Sequence, residues 1–394
     1  MKINQENKFK PQVIKWNKKW AKNLNCCNMD GQATGGVLTI NLNALRYNYK
    51  ILSIAAAPAM TAAVVKADAY GLGVAYAAPA LYEEGCRIFF VAQLNEALQL
   101  KLYLPDRAKI AVLNDIHPGM EATTADAGLI PVLNSLASVK AWASFCRKKK
   151  KKLPLMLQLD SGMARLGLDA GESAKLAENP EIFEYANVCY ILSHLACSDE
   201  YNNDMNSIQL SSLKKKLKAL PTVPVSLSNS GGINLGADYK FNLVRPGIAL
   251  YGIAPKGKLS SQLHPVVKLE ARVIQTRQVP AGLKIGYGGT YLTTRPTHIA
   301  TVAVGYADGW IRSLSNCGAA YFSGKRLPII GEISMDSMML DVTALGKFFP
   351  CRGDFVELIG PSQQLEDVAR DAGTIPYEIL TALGHRYDRH YIQS

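Results

Sequence analysis

A lysine closes an apolar run. In "AAVVKADAYGLG", Ala62 to Gly73, a core-strand pattern ends on Lys66, and a charged tip there is tolerated only when it is paired or used chemically. Further along, "LDSGMARLG" carries Arg165, "VCYILSH" ends on His194, "SNSGG" holds Asn229 and Ser230, and "FNLVRPGI" holds Arg245, Gly247 and Ile248. A lysine amine in such a place is a nucleophile for a carbonyl compound. Loops rich in small residues can aim backbone N–H groups at a phosphate. Each piece alone is ordinary, since a glycine-bearing loop is usually just a turn. Their weight depends on whether the fold brings them to one rim.

The elements that would do so are regular from residue 37 onward. A first strand, "VLTINL", feeds the helical stretch "LNALRYNYKILSIAA". Short apolar runs then alternate with amphipathic segments, at 62–66, 88–92, 109–114, 130–134, 153–160, 188–194, 223–229 and 241–248. Apolar strands separated by helices signal a parallel sheet covered on both faces. Eight such repeats predict an α/β fold, a (β/α)₈ TIM-type barrel, over 34–262. Past residue 262 the pattern becomes period-two alternation with turn residues, which predicts a C-terminal mostly-β domain over 263–394. In a barrel the chemistry sits at the carboxyl ends of the strands, with a phosphate site commonly built after strands seven and eight. Lys66, Arg165, His194 and the two small-residue loops all fall there.

Composition excludes several classes. The chain is 48% hydrophobic and 19% charged, a soluble globular balance, and no run is long and apolar enough to span a membrane. The net charge of +12 gathers in blocks, "RKKKKK" and "KKKLK", that close surface helices. Cations suit those ends, so nucleic acid is not expected as a partner. Eight scattered cysteines without a C-x-x-C pair, beside six histidines, predict reduced thiols and no metal site. Residues 1–33 form a polar extension without the features of an export signal. Val13, Trp16, Trp20 and Leu24 fall there at helical spacing, as in a short amphipathic helix.

A strand-end lysine facing two phosphate-type loops suits pyridoxal 5′-phosphate. The order of "AVVKADAYGLG", "LDSGMARLG", "SHLACSDE", "SNSGGI", "NLVRPGIALYG", "IGYGGTY", "VAVGYADGW", "GEISMDSMMLDVT" and "IPYEILTALGHRY" resembles the pyridoxal-phosphate-dependent alanine racemases from residue 36 to about 391. The resemblance implies that Lys66 holds the cofactor covalently and serves as one catalytic base. It implies that Tyr70, Ser230, Gly247, Ile248 and Tyr377 bind the phosphate, that Arg245 faces the pyridine nitrogen, and that Arg165 reaches the cofactor's phenolic oxygen and the substrate carboxylate. Tyr287 corresponds to the second base. With Met335 and Asp336 it reaches the neighbouring subunit's site, which implies a homodimer; Tyr306, Arg312 and Asp199 align with substrate-entry positions.

Racemisation removes a Cα proton from one face and returns it to the other, so two bases on opposite sides suffice. An unperturbed tyrosine titrates near pH ~10 and needs cationic neighbours to act as a base; His194 and Arg245 are the candidates for that relay. An arginine at the ring nitrogen, unlike a carboxylate, disfavours ring protonation.

Two departures stand out. Gln158 occupies a position where many members carry a lysine that becomes carbamylated and holds the arginine, so carbamylation is not expected. Ala164 replaces a frequent glycine or asparagine, a change expected to be silent. The implied role is supply of D-alanine for peptidoglycan in a bacterial cytoplasm. Three other readings compete: a non-catalytic cofactor carrier, which would lack the "IGYGGTY" tyrosine; a barrel decarboxylase, which would place an acid where Arg245 stands; and a broad-specificity racemase acting on serine or lysine. Pocket volume near Tyr306, Tyr377 and Met335 separates the last from an alanine enzyme.

Overall fold

A computed structural model describes residues 34–253 and 259–393; the extension read at 1–33, with its amphipathic spacing, lies outside them. Barrel strands appear where the apolar runs predict them. They are β2 (Met60–Thr61), β3 (Ala63–Val64), β4 (Ile88–Val91), β5 (Lys109–Val112), β6 (Ile130–Leu133), β7 (Leu153–Gln158), β8 (Ala186–Leu192), β9 (Val225–Ser226) and β10 (Leu243–Val244). β3 to β9 pair in parallel in chain order, and β10 pairs in parallel with β2. Asn242 N donates to Val225 O, Ala62 N to Val244 O and Val64 N to Pro246 O, so β2 and β3 act as one strand and the ring closes at eight. β4 and β6 are buried at every residue, as strands covered on both faces must be.

Strand β1 (Gly36–Asn41) corrects the expectation that the segment from residue 34 is all barrel. It pairs antiparallel with β11 (Val267–Val279) and in parallel with β19 (Asp388–Ile392), inside the second sheet. Its residues alternate buried and half-buried, the signature of a sheet with one covered face, which the barrel strands lack. The helix Leu42–Ala56 then carries the chain into the barrel, its first turn capped by Asn41, which accepts from Ala44 N at 3.0 Å.

Among the described residues the second sheet holds eight strands, while β12 (Lys284–Ile285) and β13 (Tyr291–Leu292) pair with each other outside it. Besides β1, β11 and β19 the eight include β14 (Thr297–Val302), β15 (Ala319–Phe322), β16 (Lys325–Pro328), β17 (Met338–Asp341) and β18 (Phe355–Ile359). One apolar core runs from Leu38 of this sheet through Phe89 and Phe90 of the barrel to Trp310 and Leu380. The C-terminal helix Pro376–Ala382, started by its proline, returns to the barrel mouth.

The lysine blocks close helices Leu136–Lys149 and Met205–Leu217. Lys216 differs from the surface expectation, because its Nζ donates to Asp160 O at 2.6 Å and Leu168 O at 3.2 Å. No helix among the described residues is long and apolar enough to cross a membrane.

Candidate active site

Strand β3 ends at Val64, and Lys66 opens a tight turn rather than a strand end. Ala67, Asp68, Ala69 and Tyr70 all have φ between 52° and 58°, the left-handed region that costs L-residues about 1–2 kcal/mol each. Neighbours hold this turn from both domains. Ala69 N donates to Val65 O at 2.9 Å, Gly71 N to Ala67 O at 2.7 Å, and Val74 N to Asp68 Oδ1 at 2.7 Å. From the second domain, Arg389 Nη1 donates to Gly71 O at 2.7 Å and the Tyr391 hydroxyl to Leu72 O at 3.0 Å. Gly71, at φ 81°, has Leu380 O only 2.5 Å from where a Cβ would stand, so a side chain there would push the second domain's helix away.

A cavity of about 750 Å³ lies at the carboxyl ends of the barrel strands. Every residue expected at the cofactor lines it: Lys66, Tyr70, Arg165, His194, Asn229, Ser230, Arg245, Gly247, Ile248 and Tyr377. Gln158 lines it too, and its Nε2 donates to Leu166 O at 3.4 Å. The sequence reading did not name Ala92, Leu113 or Asn114, which also line it. Their signal was positional, since they follow β4 and β5 as Lys66 follows β3.

Electrostatics single out three cations. The Arg245 guanidinium is buried; it donates to Ser226 Oγ and to Ser193 O at 2.6 Å, and stands 3.5 Å from His194 Nδ1. Burial pulls its pKa down to about 10, so it stays charged at neutral pH. Burial, with Arg245, Arg165 and Lys66 nearby, lowers His194 to about 3. His194 is therefore a neutral imidazole; with Arg245 the donor, Nδ1 accepts and Nε2 carries the proton. Burial and the neighbouring Arg165 also lower Lys66, opposed by Glu96, which favours the free amine that a nucleophile needs. Among the described residues, no Asp or Glu lines the cavity.

The phosphate end is built from two loops. Ser230 Oγ accepts from Gly247 N at 3.0 Å and Ala249 N at 3.2 Å, lacing the loops after β9 and β10 together. A Cβ on Gly247 would stand 2.2 Å from the Tyr70 hydroxyl, so only glycine lets that phenol reach the loop. Tyr70 packs on Tyr251 at 4.8 Å and Tyr377 at 6.1 Å between ring centroids. Burial raises both Tyr70 and Tyr377 above their usual range, keeping them phenolic donors. Two arginines, a lysine amine, neutral donors and, among the described residues, no carboxylate fit a ligand carrying a phosphate, a phenolate and a carbonyl carbon, as pyridoxal phosphate does.

Arg165 stays exposed on a loop gathered by Asp160, whose Oδ1 accepts from Gly162 N, Met163 N and Ala164 N. Ala164 has φ 55°, a conformation that glycine or asparagine adopts more cheaply. The substitution expected to be silent therefore carries a backbone cost.

Tyr287, Met335, Asp336 and Tyr306 do not line the cavity. Tyr287 is 74% exposed in a glycine-flanked turn, and Met335 is 53% exposed. Asp336 pairs with Arg386 at 2.7 Å and Arg312 with Glu332 at 3.0 Å.

Residues 40–255 match the family described as alanine racemase, N-terminal domain, and residues 266–391 match alanine racemase, C-terminal domain. The alanine racemase of Brucella abortus is 53% identical over 373 residues, covering 91% of this chain and 94% of that protein. A catabolic alanine racemase of Agrobacterium fabrum is 51% identical, covering 92% and 94%. Among solved structures, alanine racemase from Bartonella henselae with covalently bound pyridoxal phosphate superposes with a TM-score of 0.89 at 53% identity, covering 91% of this chain and 100% of that one. With both family domains matched in order around a lysine-bearing cavity, the chain belongs to the alanine racemase family of pyridoxal-phosphate isomerases.

Proposed function

We propose that the protein interconverts L-alanine and D-alanine, with pyridoxal 5′-phosphate held in the cavity and with Lys66 and Tyr287 as bases on opposite faces of the substrate. The observation that carries this reading is the cavity itself, where a half-buried lysine stands among two arginines and, among the described residues, no carboxylate. When bound, the cofactor supplies a carbonyl carbon for the amino group and a ring that accepts electron density from Cα. Everything else is work for the chain. Lys66 would hold the cofactor, and its amine, once freed by the substrate's amino group, would remove the Cα proton on its face from one enantiomer and deliver a proton there when the reaction runs the other way. Tyr70, Ser230, Gly247, Ile248 and Tyr377, with Asn229 beside them, seat the phosphate. Arg245, anchored by Ser193 and Ser226, faces the ring nitrogen without giving up its proton. Arg165 receives the substrate carboxylate.

Tyr287 supplies the opposite proton from a second copy of the chain, together with Met335 and Asp336. Its exposure, and its place outside the cavity of its own chain, support a homodimer with shared sites. The product D-alanine serves peptidoglycan synthesis in the cytoplasm in this reading. A relative named catabolic makes alanine breakdown the other outcome that growth tests would reveal.

Racemisation of L-alanine, L-serine and L-lysine on purified protein, beside Lys66→Ala and Tyr287→Phe, decides the reaction. Alanine is expected to be preferred, Lys66→Ala to be inactive and Tyr287→Phe to lose about 10²-fold or more in kcat/KM. The enantiomers are equal in free energy, so both directions must lose equally. Preference for serine or lysine would indicate the broader racemase, and bound cofactor without Cα proton exchange would indicate a carrier.

A further inference from the structure

Glu96 lies outside the cavity lining. It occupies the third position of the short helix Leu94–Leu100, where its carboxylate completes a capping box with Gln93. One oxygen does that work, with Oε2 accepting from Ala92 N at 2.8 Å and Gln93 N at 2.9 Å. The other oxygen leaves the helix. Oε1 accepts from Ala67 N at 2.6 Å, across 29 residues of chain. Ala67 N belongs to the peptide that joins Lys66 to the left-handed turn, and β3 and β4 are already neighbours through Val64 and Phe90. A cap alone has no need of this second reach.

We propose that Glu96 is a positioning residue for Lys66: its carboxylate locks the first amide of the left-handed turn to the rim of β4 and so fixes where the lysine amine stands. The proposal rests on the reading of Lys66 as the cofactor-holding base. The turn is costly at four successive residues, so its first amide needs a strong partner. A carboxylate taking three N–H groups is such a partner. Glu96 is also the acid that raises Lys66 against the burial and Arg165 that lower it. The other charged or titratable groups facing the amine across the cavity are Arg165, His194, Arg245, Tyr70 and Tyr377.

Glu96→Gln separates the two roles of the carboxylate. A glutamine keeps the cap by turning its oxygen toward Ala92 and Gln93, which sets its NH₂ against the Ala67 N–H, donor against donor. The Lys66 link is broken and the helix start is kept.

In the holoenzyme we expect kcat for alanine to fall about 10-fold while KM stays within about 2-fold. Thermal stability should change little. In the full-length chain stripped of cofactor, capture of pyridoxal phosphate followed by absorbance should show its pH midpoint moved to lower pH, because the charge that holds the proton on Lys66 is gone. Glu96→Ala, which removes cap and link together, should lose stability as well as kcat. Wild-type kcat with an unmoved capture midpoint in Glu96→Gln would overturn the proposal, leaving Glu96 a helix cap. So would a loss of kcat that merely tracks a fall in melting temperature. A wild-type protein that does not turn over alanine would overturn the proposed function instead, and the capture midpoint would still decide the role of Glu96.

Discussion

His194 is a neutral ring among three cations, and that arrangement has a measurable consequence for stability. Its ordinary pKa of 6.5 falls to about 3 in the folded chain, chiefly through burial and then through Arg245. Between those values the unfolded chain binds a proton that the folded chain refuses, so stability rises with pH across that window and is lost as pH falls through it. Urea unfolding of the cofactor-free protein from pH 7 to 4 should show this slope, and His194→Asn should flatten it. An unchanged slope in the variant would mean that His194 does not contribute. Arg245, by contrast, was legible as a strand-end arginine but not as a buried one. Its burial goes with hydrogen bonds to Ser226 Oγ and Ser193 O, partners that neither the apolar run nor the motif around them foretells.

At the scale of elements, the site followed from strand ends. Lys66, His194, Asn229 and Arg245 stand at or near the ends of four of the eight apolar runs, and period alone placed them on one rim. What periodicity missed was conformation. "KADAY" contains no glycine, yet four of its residues are left-handed, and neither propensity nor pattern foretells a turn that tertiary contacts impose. Strand β1 was misassigned for a related reason: its alternation is visible in six residues, but its partners lie more than two hundred residues away. The Arg165 loop shows the same hidden strain at Ala164. Ala164→Gly should raise stability by about 1 kcal/mol, read as a higher denaturation midpoint with kcat unchanged or improved. A lower midpoint would mean that the loop tolerates alanine without strain.

The whole molecule presents Tyr287 outward. If Tyr287 works in a neighbour's cavity, two dead proteins can make a live one. A random mixture of Lys66→Ala and Tyr287→Phe chains, coexpressed, would put half of all dimers in the hybrid form, each with one complete site. About one quarter of wild-type activity should return. No recovery would place Tyr287 in its own chain's site or outside the reaction. The expectation of shared sites came from the resemblance and not from the residues, because the order of residues within one chain carries no symmetry operator.

The seating of β1 between β11 and β19 also bears on how the chain is made. A ribosome delivers β1 first and holds it without either partner until residues 267 and then 388 emerge. Arg389 and Tyr391, which secure the turn beside Lys66, arrive later still. The barrel can therefore gather during synthesis, while the lysine's turn is secured only once β19 has emerged. A nascent chain stalled before β19 would carry nearly the whole cavity without this fastening.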